Sequence, residues 1–191
     1  MITICEGLDK CGKSTFIANR VGTIFEANAP FCADICKPLG DGKYAAMTTL
    51  DMLTATNRVL PHSIGLHFDD KDERPFISFM DCLRLSYRTD VYLDRSFISE
   101  LVYGRVFRES SRISIEEEQT IINELKRTPH EILYFRRKLD TKYFSELSGE
   151  DDYEKEREKI IKVNDEYNRV MRQYSKAGLN VYEISFSIKR S

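Results

Sequence analysis

Gly7-Leu8-Asp9-Lys10-Cys11-Gly12-Lys13-Ser14 follows directly on the apolar run Ile2-Thr3-Ile4-Cys5 and matches the phosphate-binding pattern G-x-x-x-x-G-K-[ST] at every fixed position. The physical demand behind the pattern is narrow. Successive backbone N–H groups must close round a polyanion, which needs residues without a Cβ, at the start of a helix whose dipole favours negative charge. Lys13 supplies a point charge for the β and γ phosphates and Ser14 a hydroxyl for Mg²⁺, so the stretch predicts a bound nucleoside triphosphate. The flanks agree. A β-branched run precedes the loop, and Ser14 to Val21 lacks Pro and Gly and spaces Phe16, Ile17 and Val21 as a helix would.

Working outward, short β-rich runs alternate with helical stretches, the signature of a parallel sheet with crossover helices on both faces. Five strands are expected, near Ile2–Glu6, Phe31–Lys37, Asp90–Asp94, Glu131–Phe135 and Asn180–Ser185. Helices are expected over Lys13–Val21, Tyr44–Leu60, Pro75–Ser86, Phe97–Arg108, Ile115–Lys126 and Tyr153–Lys176. In the last of these Ile160, Val163, Tyr167, Val170, Met171 and Tyr174 recur at three and four, and Gly178 ends the pattern. Pro75 marks a helix start, which leaves Pro61 to Arg74, with Gly65 and the run Asp69-Asp70-Lys71-Asp72-Glu73-Arg74, as a polar insertion or lid-like loop.

Composition bounds the function. The 191 residues suit a single domain over 1–191, with 41% hydrophobic and 31% charged residues. No apolar stretch is long enough to span a bilayer, and a strand beginning at Ile2 leaves no room for a targeting peptide, so a cytoplasmic protein is expected. A net charge of −2 lacks the basic footprint of proteins that grip polymeric nucleic acid, and a small nucleotide is the easier partner. Cys5, Cys11, Cys32, Cys36 and Cys82 form no CxxC pair, which argues against a disulfide framework or a zinc site. Cys11, in the loop, is expected to be accessible to oxidation. His62, His67 and His130 have no partner pattern and are read as solvent or loop residues. Of the local basic runs, Arg136-Arg137-Lys138 follows a strand and so could approach phosphates.

The second constellation is Val91-Tyr92-Leu93-Asp94-Arg95, an apolar strand ending in an acid and a base. Ligands of open parallel sheets bind beyond the carboxyl ends of the strands, so Asp94 and Arg95 should emerge near the phosphate loop. There the acid suits Mg²⁺ and the arginine the phosphates.

Together these segments resemble the thymidylate kinases and related P-loop deoxynucleoside and deoxynucleotide kinases. Glu6-Gly7-Leu8-Asp9-Lys10-Cys11-Gly12-Lys13-Ser14-Thr15 is similar to the family's EGxDxxGKST loop, and Asp94-Arg95-Ser96-Phe97-Ile98-Ser99 to its DR-x-x-x-S signature. Asp152-Tyr153-Glu154, followed by a helix carrying Tyr167, resembles the stretch after the family's LID. The resemblance implies a P-loop NTPase fold and transfer of a phosphoryl group from ATP, with Mg²⁺, to a deoxynucleoside monophosphate, dTMP favoured, in a homodimer. It gives Asp9 the acceptor's sugar hydroxyl and Arg95 the phosphates between donor and acceptor, and places Ser99 and Tyr103 in the acceptor pocket. Family members carry a catalytic arginine in the loop or the LID. This chain has Lys10 in the loop and no Arg or Lys in Ser148-Gly149-Glu150-Asp151-Asp152, so Lys10 is assigned the arginine's work. The base-reading arginine has two candidates, Arg58, with Thr54 where an aromatic is expected, and Arg74. Cys36 or Lys37 stands where the family has an arginine before a proline. A kinase for a 5′-hydroxyl, on a deoxynucleoside or a modified base in DNA, and a nucleotide-binding regulator without turnover are the alternatives.

Overall fold

The structure, a computed structural model, describes residues 1–21, 24–26, 63–68, 74–147 and 157–185, with backbone alone for 24–26 and 145–147. Its strands are β1 (Ile2–Glu6), β2 (Ile24–Glu26), β3 (Ser63–His67), β4 (Asp90–Asp94), β5 (His130–Arg136) and β6 (Val181–Ser185). Its helices are α1 (Lys13–Val21), α2 (Pro75–Leu85), α3 (Phe97–Phe107), α4 (Ile115–Arg127), α5 (Thr141–Leu147) and α6 (Arg157–Lys176).

All pairings are parallel, in the order β2-β3-β4-β1-β5-β6. The chain leaves β1 for the far edge and returns through β3 to β4, beside β1. It then crosses to β5 on the other side. Adjacent strands β1 and β4 are thus followed by connections running in opposite directions, and a crevice opens beyond their carboxyl ends. β1 is buried along its whole length, as the central strand of such a sheet must be, which explains its unbroken apolar run.

Strand alternation sorts side chains between two layers. Ile2, Ile4, Val91, Leu93, Ile132 and Tyr134 pack in the larger core with apolar residues of α2, α3, α4 and α6. Cys5, Leu133 and Phe135 turn to the opposite face and pack with Cys11 and Ile17 of the loop and α1. Glu6, two residues beyond Ile4, therefore points into the larger core, under α3 and α6. Local signals set the helix ends. Pro75 occupies the first turn of α2, Ser114 and Glu117 form a capping box on α4, and Gly178 at φ +88° terminates α6 with Leu179 N–H donating to the Tyr174 carbonyl at 3.0 Å.

The expected architecture is present, but among the described residues the sheet has six strands, not five. Ser63–His67, read as part of a polar loop, forms β3, buried at Ile64, Gly65 and Leu66 between β2 and β4. Its short run with a central glycine carries little strand propensity of its own. Pairing on both edges makes it a strand. α5 was also not anticipated, although the Asp140 carboxylate accepts from Tyr143 N–H at 3.0 Å as an N-terminal cap does. The strand expected over Phe31–Lys37 and the helix over Tyr44–Leu60 lie outside the described residues, as do residues 148–156. Among the described residues no helix is long and apolar enough to cross a membrane.

Candidate active site

The phosphate loop joins β1 to α1 through three residues at positive φ: Gly7 at 137°, Lys10 at 55° and Gly12 at 92°. Gly7 also has no room for a side chain, since a Cβ there would lie 2.4 Å from the Phe135 carbonyl oxygen of β5. Lys10 takes up a left-handed conformation that costs an L-residue about 1–2 kcal/mol, so its surroundings must hold it there. At the helix start, Lys13 is 5% exposed and its Nζ donates to the carbonyls of Gly7 at 3.1 Å and Leu8 at 2.8 Å. The ammonium is thereby pinned against the loop.

Leu8 and Cys11 turn inward, 4% and 5% exposed. Burial of Cys11, its Sγ 2.8 Å from the Leu8 carbonyl, corrects the expectation of an oxidisable thiol. Burial also raises the thiol's pKa, with the nearby Lys13 charge working in the opposite direction. Ser14 and Thr15 are exposed on the first turn of α1.

The register explains why the second constellation meets the first. Cys5 pairs with Asp94, and Asp94 with His67, in one row across the carboxyl edge of the sheet. Ser14 Oγ donates to Asp94 Oδ2, tying the loop's last residue to the end of β4. Asp94 is 4% exposed, and His67 Nδ1 approaches the same carboxylate oxygen at 3.9 Å. Arg95, at φ +68°, continues the ladder by donating from its N–H to the Cys5 carbonyl at 3.0 Å. Its guanidinium Nη2 donates to Asp9 Oδ1 and its Cζ lies 5.0 Å from the Tyr103 ring centre.

Behind this surface lies a buried acid. Glu6 is fully buried and accepts from Ser96 Oγ at 2.6 Å, Ser99 Oγ at 2.7 Å and Tyr167 OH at 3.1 Å, with the Ser99 and Tyr167 hydroxyls 2.8 Å apart. Burial raises its pKa, opposed by the Ser96 and Ser99 hydrogen bonds and the charges of Arg95 and Lys13. The Tyr167 hydroxyl is held well above its ordinary range by the same burial and by the Glu6 carboxylate. Tyr167 meets Tyr103 edge to face at 6.2 Å and stacks with Tyr134 at 5.8 Å, so one aromatic wall links α3, α6 and β5.

Asp9, Lys10, Lys13, Ser14, Asp94 and Arg95 are thus gathered at the carboxyl ends of β1 and β4, with Tyr103 beneath Arg95 and Ser99 directed inward to Glu6. Arg74 stands exposed at the start of α2, on the carboxyl side of the sheet. Lys37 and Arg58 lie outside the described residues. Sequence reasoning gave no role to Glu6, although an acid closing an otherwise apolar strand is a signal. It also misplaced His130 and gave His67, which is partly exposed, no carboxylate neighbour. His67 ends β3 beside Asp94, and His130 is buried in β5, its Nδ1 2.9 Å from the Thr128 carbonyl while Nε2 accepts from Asn180 N–H at 3.1 Å.

No protein-family model and no curated protein matches the chain. Among solved structures it is similar to that of the YorR protein from Bacillus subtilis in complex with phosphorylated GDP, at 21% identity and a TM-score of 0.54. The match covers 97% of this chain and 85% of that one. The fold is of the P-loop NTPase type.

Proposed function

We propose that this protein is a nucleotide kinase that transfers the γ-phosphoryl group of ATP to a deoxynucleoside monophosphate, with thymidylate the favoured acceptor. The observation that carries the reading is the Ser14–Asp94 hydrogen bond, which joins the phosphate loop to the acid ending β4 while Arg95 reaches Asp9 from the next position. In the proposed reaction the amides of residues 7–15 cradle the phosphates of ATP. Lys13 lies along them, and Lys10 neutralises charge on the group in transfer. Arg95, backed by Tyr103, takes the acceptor phosphate, and Asp9 takes its sugar hydroxyl.

Ser14 and Asp94 are hard oxygen donors brought together from two elements, a set that suits Mg²⁺ held by a carboxylate, water and substrate phosphates. When bound, the ion supplies charge neutralisation at the phosphate oxygens. The protein's own contribution is positioning and preorganised positive charge around a loose transition state.

Labelled ATP, and GTP because the YorR complex holds a guanine nucleotide, is to be incubated with a panel of deoxynucleosides, their monophosphates including dTMP and dGMP, and DNA. Transfer to a monophosphate, abolished by Lys13→Ala, is the expected result. Transfer to a nucleoside or DNA alone would replace the acceptor, and nucleotide binding without transfer to any acceptor would overturn catalysis.

A further inference from the structure

The basic run at the end of β5 divides. Arg136 donates from Nη1 to Glu183 Oε1 of β6 at 3.1 Å, turning toward the sheet's outer edge. Arg137 turns the other way, and its Nη1 donates to the Lys10 carbonyl at 2.7 Å, across 127 positions of sequence. Its Cζ lies 5.2 Å from the centre of the Tyr143 ring, on the first turn of α5, whose start is fixed by Asp140. The guanidinium is therefore held between a ring on one side and the crown of the phosphate loop on the other. The carbonyl it grips belongs to the loop's one non-glycine residue at positive φ.

We infer that Arg137 is a positioning residue for the donor triphosphate: by holding the Lys10 carbonyl it keeps Lys10 in its left-handed conformation, and so keeps the loop amides aimed at the phosphates. This deepens the kinase reading and rests on it for the identity of the ligand. A carbonyl drawn outward by a cation leaves the peptide's amide groups to face the other way, and successive amides on one side are what make an anion cup. The bond to a charged donor also polarises that peptide in the direction the anion requires. Arg137 acts through Lys10, so its effect depends on what occupies position 10.

Titration calorimetry with Mg·ATP and with inorganic tripolyphosphate on wild type, Arg137→Met, Arg137→Lys, Lys10→Gly and the Arg137→Met/Lys10→Gly double variant tests this. Losing a charged hydrogen bond should weaken both ligands about tenfold in Arg137→Met, with Arg137→Lys recovering most of the loss and the acceptor's KM unmoved. Glycine adopts positive φ without strain, so in the Lys10→Gly background the same change should cost less than about threefold. An Arg137→Met protein binding within about twofold of wild type, or an equal loss in both backgrounds, would overturn the inference. If wild type bound neither ligand, the kinase reading would fail first. Amide hydrogen exchange at residues 10–13 then decides separately: faster in Arg137→Met upholds the clamp, unchanged refutes it.

Discussion

Replacing Gly7 by alanine puts a number on the closeness of loop and sheet. The new Cβ would lie 2.4 Å from the Phe135 carbonyl oxygen and 3.2 Å from Cys11 Sγ, and the first contact is backbone of β5, held where Phe135 pairs with Ile184 of β6. Gly178 supplies the control, because its φ of +88° carries the conformational penalty while a Cβ there meets nothing within 4 Å. Gly178→Ala should therefore cost the backbone term alone, about 1–2 kcal/mol. Gly7→Ala adds overpacking against an immovable neighbour, about 1–3 kcal/mol more, for a total of about 2–5 kcal/mol. For a chain of this size that lowers Tm by roughly 10 °C, against about 4 °C for Gly178→Ala. Urea midpoints and thermal scans read both, and Mg·ATP affinity should fall in the Gly7 variant only. Equal stabilities for the two variants would refute the claimed approach of loop to β5.

Glu6 and Glu100 should respond to pH in opposite senses. The Glu6 pKa is raised from 4.5 chiefly by burial, so its contribution is fully present below that value and is lost as pH climbs above it; the stability difference between wild type and Glu6→Gln, followed by urea titration, should shift against wild type over that climb. In Glu100 burial also pushes upward, but Arg112 and Arg108, each within 2.6 Å, outweigh it and hold the carboxyl below 4.5. Wild type should then lose its advantage over Glu100→Gln as pH falls below 4.5, and a pH-independent difference would remove the ion-pair explanation. Asp94→Asn should raise the Mg²⁺ concentration for half-maximal turnover about 10- to 100-fold, and an unchanged Mg²⁺ titration would take Asp94 out of the metal's surroundings.

How much of this was legible beforehand depends on whether the signal is local. The phosphate loop, Asp94-Arg95, the stripe on α6 with the Gly178 that ends it and the Pro75 that opens α2 are local patterns, written in glycines, prolines and periodicity that force one backbone course. They were enough for an α/β parallel sheet and for the end of it that carries the candidate site. β3 was hidden because Ser63–His67 becomes a strand only between two neighbours, and the site's deeper layer was hidden for a related reason. Glu6 meets Ser96, Ser99 and Tyr167 over separations of 90, 93 and 161 residues. Arg137 meets Lys10 over 127. No periodicity encodes such pairings. Sequence alone determined which groups could surround a phosphate, because backbone freedom and charge are properties of single residues. The tertiary structure alone decided which buried acid and which arginine support them, because strand order and register choose the partners.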